Sequence, residues 1–233
     1  MDLSGNIPAF FDITKANTHD IQFLDSIEIE AGAYYIMDRG YIDYKRLNRI
    51  HRQGAFFLVR AKDNLSFTRM YSSRVDRSTC LRCDQTIRLA GYYASRDYPD
   101  KLRRIKYFDS DTNKYFVFLT NDFNSEAKTI TELYKHRWQI ELFFKWIKQH
   151  LKIKSFWGYS ENAVKSQICI AICVYLLVAI ARKDLKIDRN LYEILQILSV
   201  SLFDKMTLSK LISEAAIQKF EEQSPKQQCL WDF

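Results

Sequence analysis

The sequence lacks what several function classes require. Cys80 and Cys83 form one C-x-x-C, but no second pair and no nearby histidine completes a four-ligand zinc set, so a hairpin turn is the simpler reading of that segment. The cysteines number five, an odd count, and no signal-peptide pattern precedes them; a reduced, cytosolic setting fits both observations. The longest apolar run, "ICIAICVYLLVAIA" from Ile168 to Ala181, has 14 residues. A membrane span needs roughly 17–25. Lys165 and Arg182 flank the run, and it reads as a buried core helix, with Cys169 and Cys173 as buried thiols and no membrane partner. There is no internal repeat and no low-complexity segment.

What is present is apolar and basic. Of 233 residues, 47% are hydrophobic and 15% aromatic, enough to bury a sizeable core in one large domain or one domain with an insertion. Thirty-five Lys and Arg face 28 Asp and Glu, a net charge of +7. That balance favours a polyanionic partner, nucleic acid before an anionic membrane, although a merely basic soluble protein has the same balance.

The first third alternates strand and helix patterns. "MDLSGNIPAFFDIT" reads as a hairpin turning at Ser4-Gly5-Asn6. Thr18 is a candidate N-cap for a helix carrying Ile21, Leu24 and Ile27. "AYYIMDRG" reads as a strand ending at Asp38, "DYKRLNRIHRQG" as an amphipathic helix closed by Gly54, and "AFFLVRAK" as a second apolar strand. The order β-β-α-β-α-β predicts an α/β fold. Residues 64–121 then alternate in short β-like pieces, "FTRMYSS", "QTIRLAGYYA", "RRIKYFD" and "YFVFLTN", which predict a β-rich insertion subdomain. Its "KLRRIK", residues 101–106, is either a DNA-facing cluster or a solvated strand edge. From Thr129 the pattern is helical. Thr129 with Glu132 suggests a capping box, and further helices are expected through "NLYEILQILSVSLF" and "TLSKLISEA" before a polar tail. The expected division is a core at 1–63 and 122–183, the insertion at 64–121, and C-terminal helices and tail at 184–233.

"ELYKHRWQIELFFKWIKQHLK" is the most informative stretch. Read as one helix, it places Tyr134, Arg137, Glu141 and Lys148 within a sector about 60° wide over roughly 21 Å of its length. A carboxylate there can hold a divalent cation, the two cations can neutralise phosphates, and the phenol can donate to a phosphate oxygen or stack. The same spacing also suits a solvated face with an ordinary Arg137–Glu141 ion pair.

The pattern Y-x-x-R-x-x-x-E-x-x-x-x-x-x-K at these four residues resembles the signature of insertion-sequence-4-type DDE transposases, which have a ribonuclease-H-like fold. "YYIMDRGYIDYKRL" resembles that family's second-acid segment, and "ELFFKWIKQHLKIKSFWGYSENAVKSQI" resembles the run through and beyond its acidic helix. The resemblance implies DNA transposition, with strands cleaved and joined by two-metal phosphoryl transfer. It implies catalytic and metal-binding roles for Asp38 and Glu141, and DNA contacts for Tyr134, Arg137 and Lys148. It implies Mg²⁺, with Mn²⁺ able to substitute, and as partners transposon-end and target DNA and further copies of the chain. The setting it implies is the bacterial cytoplasm, at the nucleoid. The family uses three acids, the first on a strand expected before the opening hairpin; neither Asp2 nor Asp12 stands at that place. The ribonuclease-H-like core is therefore expected to be incomplete, with its first strand missing and the chain inactive alone. The alternative is a non-catalytic DNA-binding remnant or inhibitor of full-length transposase.

Overall fold

The computed structural model describes residues 7–14, 19–151, 153, 155–201, 206–207 and 210–211. It divides into two units, Phe10–Leu142 on the one hand and Met1–Ala9 with Phe143–Phe233 on the other.

The first unit is built on one six-stranded mixed sheet. Strands β1 (Tyr34–Met37) and β2 (Phe56–Arg60) run parallel, Met37 opposite Val59, joined by helix α2 (Tyr44–Arg52). A short helix, α1 (Phe23–Ser26), precedes them. Asp43 caps α2 by accepting from Arg46 N at 2.9 Å, and Gly54 ends it at a φ of 75°, a left-handed turn that glycine enters without a Cβ clash. β2 is apolar from Phe56 to Val59 because both its faces are covered there; Phe57, Leu58 and Val59 are fully buried. Each such side chain contributes about 1.5–3 kcal/mol by leaving water.

The chain then runs antiparallel through β3 (Phe67–Ser73), β4 (Leu81–Leu89), β5 (Leu102–Asp109) and β6 (Lys114–Thr120). The spatial order is β1-β2-β6-β5-β4-β3. β6 returns to pair with β2, Leu119 opposite Val59. Buried Asn121 ties this junction, accepting from Phe57 N and donating to Ala55 O, both at 2.9 Å. The architecture is the α/β class expected, a mixed sheet with helices, consistent with a ribonuclease-H-like domain.

Residues 64–121 are β-rich, as their alternation suggested, but they do not make a sheet of their own. Their strands continue the β1-β2 sheet, and Ile87, Leu89, Leu102 and Leu119 share one core with Leu24, Met37, Leu47 and Phe57. "KLRRIK" is not a strand edge, and its cations divide between the two faces of the sheet. β5 lies between β4 and β6, Leu102 and Ile105 are fully buried, and the Arg103 guanidinium is spent on Asp84. Strand alternation stops earlier than "QTIRLAGYYA" suggested, because Gly91 opens a short helix, α3 (Tyr92–Asp97). That helix delivers Tyr98 into the core, its hydroxyl 2.8 Å from His51 Nδ1. The turn of the expected hairpin at 1–14, Ser4-Gly5-Asn6, lies outside the described residues, as does Thr18; residues 8–14 carry no strand.

The sheet has two covered faces. One bears Met37, Phe57, Val59, Ile87 and Leu119 beneath α1, α2 and α3. The other bears Ile36, Leu58, Ile105 and Phe118 and receives helix α4 (Ala127–Lys135) through Ile130, Leu133 and Tyr134. α4 begins before Thr129, with Glu126 at its N-cap, so the Thr129–Glu132 box does not form.

The second unit is helical. Helix α5 (Trp138–His150) contributes Phe143 and Ile147, which pack with Ala171, Ile172 and Tyr175 of α6 (Glu161–Asp184). Val178 of α6 meets Ile194 of α7 (Leu191–Ser201). The run from Ile168 to Ala181 was expected to be a buried core helix, yet α6 buries a single face; Ile170 is 63% and Leu177 68% exposed. Among the described residues it is the one helix long and apolar enough, by composition, to cross a membrane. "TLSKLISEA" and the tail lie mostly outside the described residues.

Candidate active site

Asp38 is the residue after β1, where the strand gives way to a single 3-10 turn. Its Oδ1 accepts from Arg39 N at 2.6 Å, which fixes the carboxylate at the mouth of the parallel strand pair. Because Met37 stands opposite Val59, β2 ends in step with β1 and brings Arg60 to the same rim. The Arg60 guanidinium lies 4.8 Å from the centre of the Phe116 ring.

The opposite wall comes from the α4–α5 junction. Apolar periodicity runs through Glu132–Lys152 without a pause, and a single helix was expected there. The structure breaks it at His136 and Arg137, where tighter i→i+3 bonds replace helical ones, Arg137 N donating to Tyr134 O at 3.1 Å and Ile140 N to Arg137 O at 3.2 Å. The break follows from packing. Tyr134 is 9% exposed, its ring centre 4.5 Å from that of Phe118 on the sheet, which commits the end of α4 to that face.

Across this break Arg137 and Glu141 still meet, Nη2 to Oε1 at 2.7 Å. Arg137 is the hub of the site. Burial tends to lower its pKa, but the Glu141 bond, the Tyr134 phenol and the charges of Asp38 and Glu141 together raise it. Tyr134 is pushed up first by burial and then by the Asp38 charge, with Arg137 and Arg60 acting the other way. Asp38, Arg60, Tyr134, Arg137 and Glu141 thus share one electrostatic neighbourhood within the first unit. Lys148 is exposed on the last turn of α5, in the second unit.

Two details refine the expected roles. The Tyr134 ring is committed to the core and cannot stack on a base, leaving only its phenolic oxygen for polar contact. Arg60 was missed by motif reading; the signal was structural, two parallel strands ending level, so that the residue after Val59 must stand beside the residue after Met37.

Asp38 and Glu141 supply hard carboxylate oxygens, and neither Asp38 Oδ2 nor Glu141 Oε2 takes a donor among the described residues. That chemistry suits a divalent cation, which can sit on one or two carboxylates and complete its shell with water and phosphate oxygens. No third acid, histidine or cysteine joins them among the described residues. Asp12 is exposed and accepts from its neighbour Ile13 N, and Asp2 lies outside those residues.

Comparison with known proteins points the same way. A family model described as "Transposase DDE domain" matches residues 1–177. The chain is 38% identical over 217 residues to "Putative transposase y4zB" of Sinorhizobium fredii, covering 90% of the chain and 60% of that protein. It is 32% identical over 148 residues to "Probable transposase for insertion sequence element IS5377" of Geobacillus stearothermophilus, covering 61% of the chain and 37% of that protein. With "Putative transposase for insertion sequence element IS4SA" of a Synechocystis species the identity is 23% over 228 residues, covering 94% of the chain and 62% of the relative. The chain therefore spans less than two thirds of the length of each of these relatives.

Proposed function

The chain belongs to the family of transposase DDE domains, and on that premise we propose that it acts on DNA in transposition, cleaving and joining strands at the rim formed by Asp38, Arg137 and Glu141. The observation that carries this reading is the pairing of two signature residues, Arg137 and Glu141. Arg137 binds Glu141 at 2.7 Å and lies in the field of Asp38, which is far from both in sequence.

Family membership implies a divalent metal; Mg²⁺, with Mn²⁺ as substitute, is the proposed ion, and Asp38 and Glu141 the residues that would hold it. Bound there, it would supply charge neutralisation and an activated oxygen nucleophile for phosphodiester attack. The residues of the chain do the rest. Arg137 holds Glu141 in one rotamer and offsets the repulsion between the two carboxylates before the ion arrives. Tyr134 buttresses Arg137, whose guanidinium lies 5.8 Å from the ring centre. Arg60 adds positive charge for the DNA backbone, and Lys148, on the last turn of α5, is a further proposed DNA contact. Transposon ends and target are the proposed DNA partners, a multimer of this chain the active assembly, and the bacterial cytoplasm, at the nucleoid, the setting.

A second reading, a non-catalytic DNA-binding protein, is favoured by one observation, the absence of a third acid at the site among the described residues. One assay separates the two. The purified chain is incubated with DNA carrying its element's own ends, with and without Mg²⁺. The proposal expects metal-dependent nicking at the ends, in departure from the sequence expectation of a chain inactive alone, because two carboxylates can suffice to hold a divalent cation. Binding to the ends without nicking would favour the second reading, and failure to bind them would contradict both.

A further inference from the structure

The sheet face that covers the larger core does not stay apolar to its far end. Following the register outward, Leu119 stands opposite Arg104, Val117 opposite Lys106, and Tyr115 opposite Phe108. Arg104 stands opposite Gln85, and Lys106 opposite Cys83. On this face the side chains change from Ile87, Leu102 and Leu119, all fully buried, to Arg104 and Lys106. Exposed Arg82 joins them because the ladder slips between Leu81 and Cys83, which leaves Arg82 as an extra residue and lets it turn to the Phe108 side.

Each of these cations lies over an aromatic ring. The Arg82 guanidinium is 5.4 Å from the centre of Phe108, Lys106 Nζ 4.7 Å from that of Tyr115, and the Arg104 guanidinium 4.9 Å from that of Phe67. Phe108 and Tyr115 are themselves in contact, their centres 5.0 Å apart. Such contacts contribute about 0.5–1 kcal/mol each at exposed sites and restrict long side chains to few orientations. The cations have no acidic partner among the described residues. Arg104 Nη1 donates to Gln85 Oε1 and Cys83 Sγ, both at 3.0 Å and both neutral. Asp84 alternates to the opposite face and is spent on Arg103, while Asp109 receives the Thr112 hydroxyl. Asp111, in the β5–β6 turn, forms no ion pair among the described residues.

We propose that this platform of Arg82, Arg104 and Lys106 on Phe108, Tyr115 and Phe67 is a second DNA surface that grips the phosphate backbone of duplex DNA without reading its sequence. Unpaired cations on a pleated surface of neutral and aromatic groups fit a regular polyanion, and the acid-free face gives the charge complementarity. The choice of DNA rests on the function proposed above. The surface itself is independent of Asp38 and Glu141, so its failure and the failure of that function can be told apart.

The test is binding of a fluorescein-labelled duplex of arbitrary sequence, without divalent metal, across a range of KCl. The chain is compared with a triple variant, Arg82→Gln, Arg104→Gln and Lys106→Gln, and with a control of equal charge, Lys45→Gln, Lys128→Gln and Lys183→Gln. The triple variant should flatten the plot of log affinity against log salt by roughly 2–3 and weaken binding about tenfold or more near physiological salt. The control should keep the parent slope. If the triple variant does not fold, lysine acetylation footprinting on the unaltered chain takes its place, with DNA expected to protect Lys106 and not Lys45. Equal losses in triple variant and control would overturn the proposal, since net charge alone would then explain binding. So would an unprotected Lys106, or phosphatidylserine vesicles that lose binding to the triple variant while the duplex slope stays unchanged. Loss of slope in the triple variant of a chain that never cleaves DNA would leave this surface standing and count against the catalytic reading alone.

Discussion

Arg103→Ala should destabilise the first unit by about 3–5 kcal/mol, the range for breaking a buried ion pair by removing one partner. Arg103 is 8% exposed and grips Asp84 with two bonds, Nε to Oδ1 at 2.9 Å and Nη2 to Oδ2 at 2.8 Å. Its Nη1 also donates to the carbonyls of Asp122 and Ser125, at the turn that launches α4. The truncation therefore strands a buried carboxylate and two carbonyls at once. Domains of this size are stable by only about 5–15 kcal/mol, so a large fraction of the total is at stake. Urea unfolding followed by circular dichroism measures it. A double variant, Arg103→Met with Asp84→Leu, should recover most of the loss, because no unpaired charge remains. Loss of less than about 1 kcal/mol in Arg103→Ala would mean that water reaches Asp84 and that the pair is not the structural clamp described.

Glu141→Gln should reduce metal-dependent DNA cleavage on the order of 10³-fold or more, which corresponds to about 4 kcal/mol of lost transition-state stabilisation. The change keeps shape and leaves an amide oxygen able to accept from Arg137, so the α4–α5 junction should stand and the melting temperature should stay within about 2 °C of the parent. What disappears is the anionic oxygen a divalent cation needs. The measurement is the single-turnover cleavage rate at saturating Mg²⁺. An unchanged rate would remove Glu141 from the site.

The parts of this site legible in sequence were those fixed by local rules. "YYIMDRG" is a short apolar strand stopped by an acid and a glycine, and it forms β1 with Asp38 at its end. Asp43 and Gly54 bracket α2 as cap and terminator. The Arg137–Glu141 spacing survives because an i,i+4 relation spans barely one turn and tolerates a helix break just before it. The break itself was hidden, because the aromatic run keeps a helical period through it and the cause lies in Phe118, on a distant strand. Strand pairing was hidden for a similar reason. Alternation shows that residues 64–121 make strands but not which strand β6 joins, and its return to β2 turns an expected separate subdomain into part of one sheet. "KLRRIK" shows the limit of counting charge. Arg103 is clamped to Asp84 on one face of the sheet and Arg104 lies over Phe67 on the other, a division set by strand parity and by the position of Asp84.

The central claim is that Asp38 and Glu141 hold one ion, and Mn²⁺ binding followed by electron paramagnetic resonance tests it without relying on catalysis. The chain, Asp38→Asn, Glu141→Gln and the double variant are titrated under the same conditions. Shared ligation predicts that each single variant weakens binding by at least about tenfold and that the double variant is little worse than the weaker single, since the pair acts as a unit. Single variants that bind as tightly as the parent, or losses that simply multiply in the double variant, would contradict a shared site.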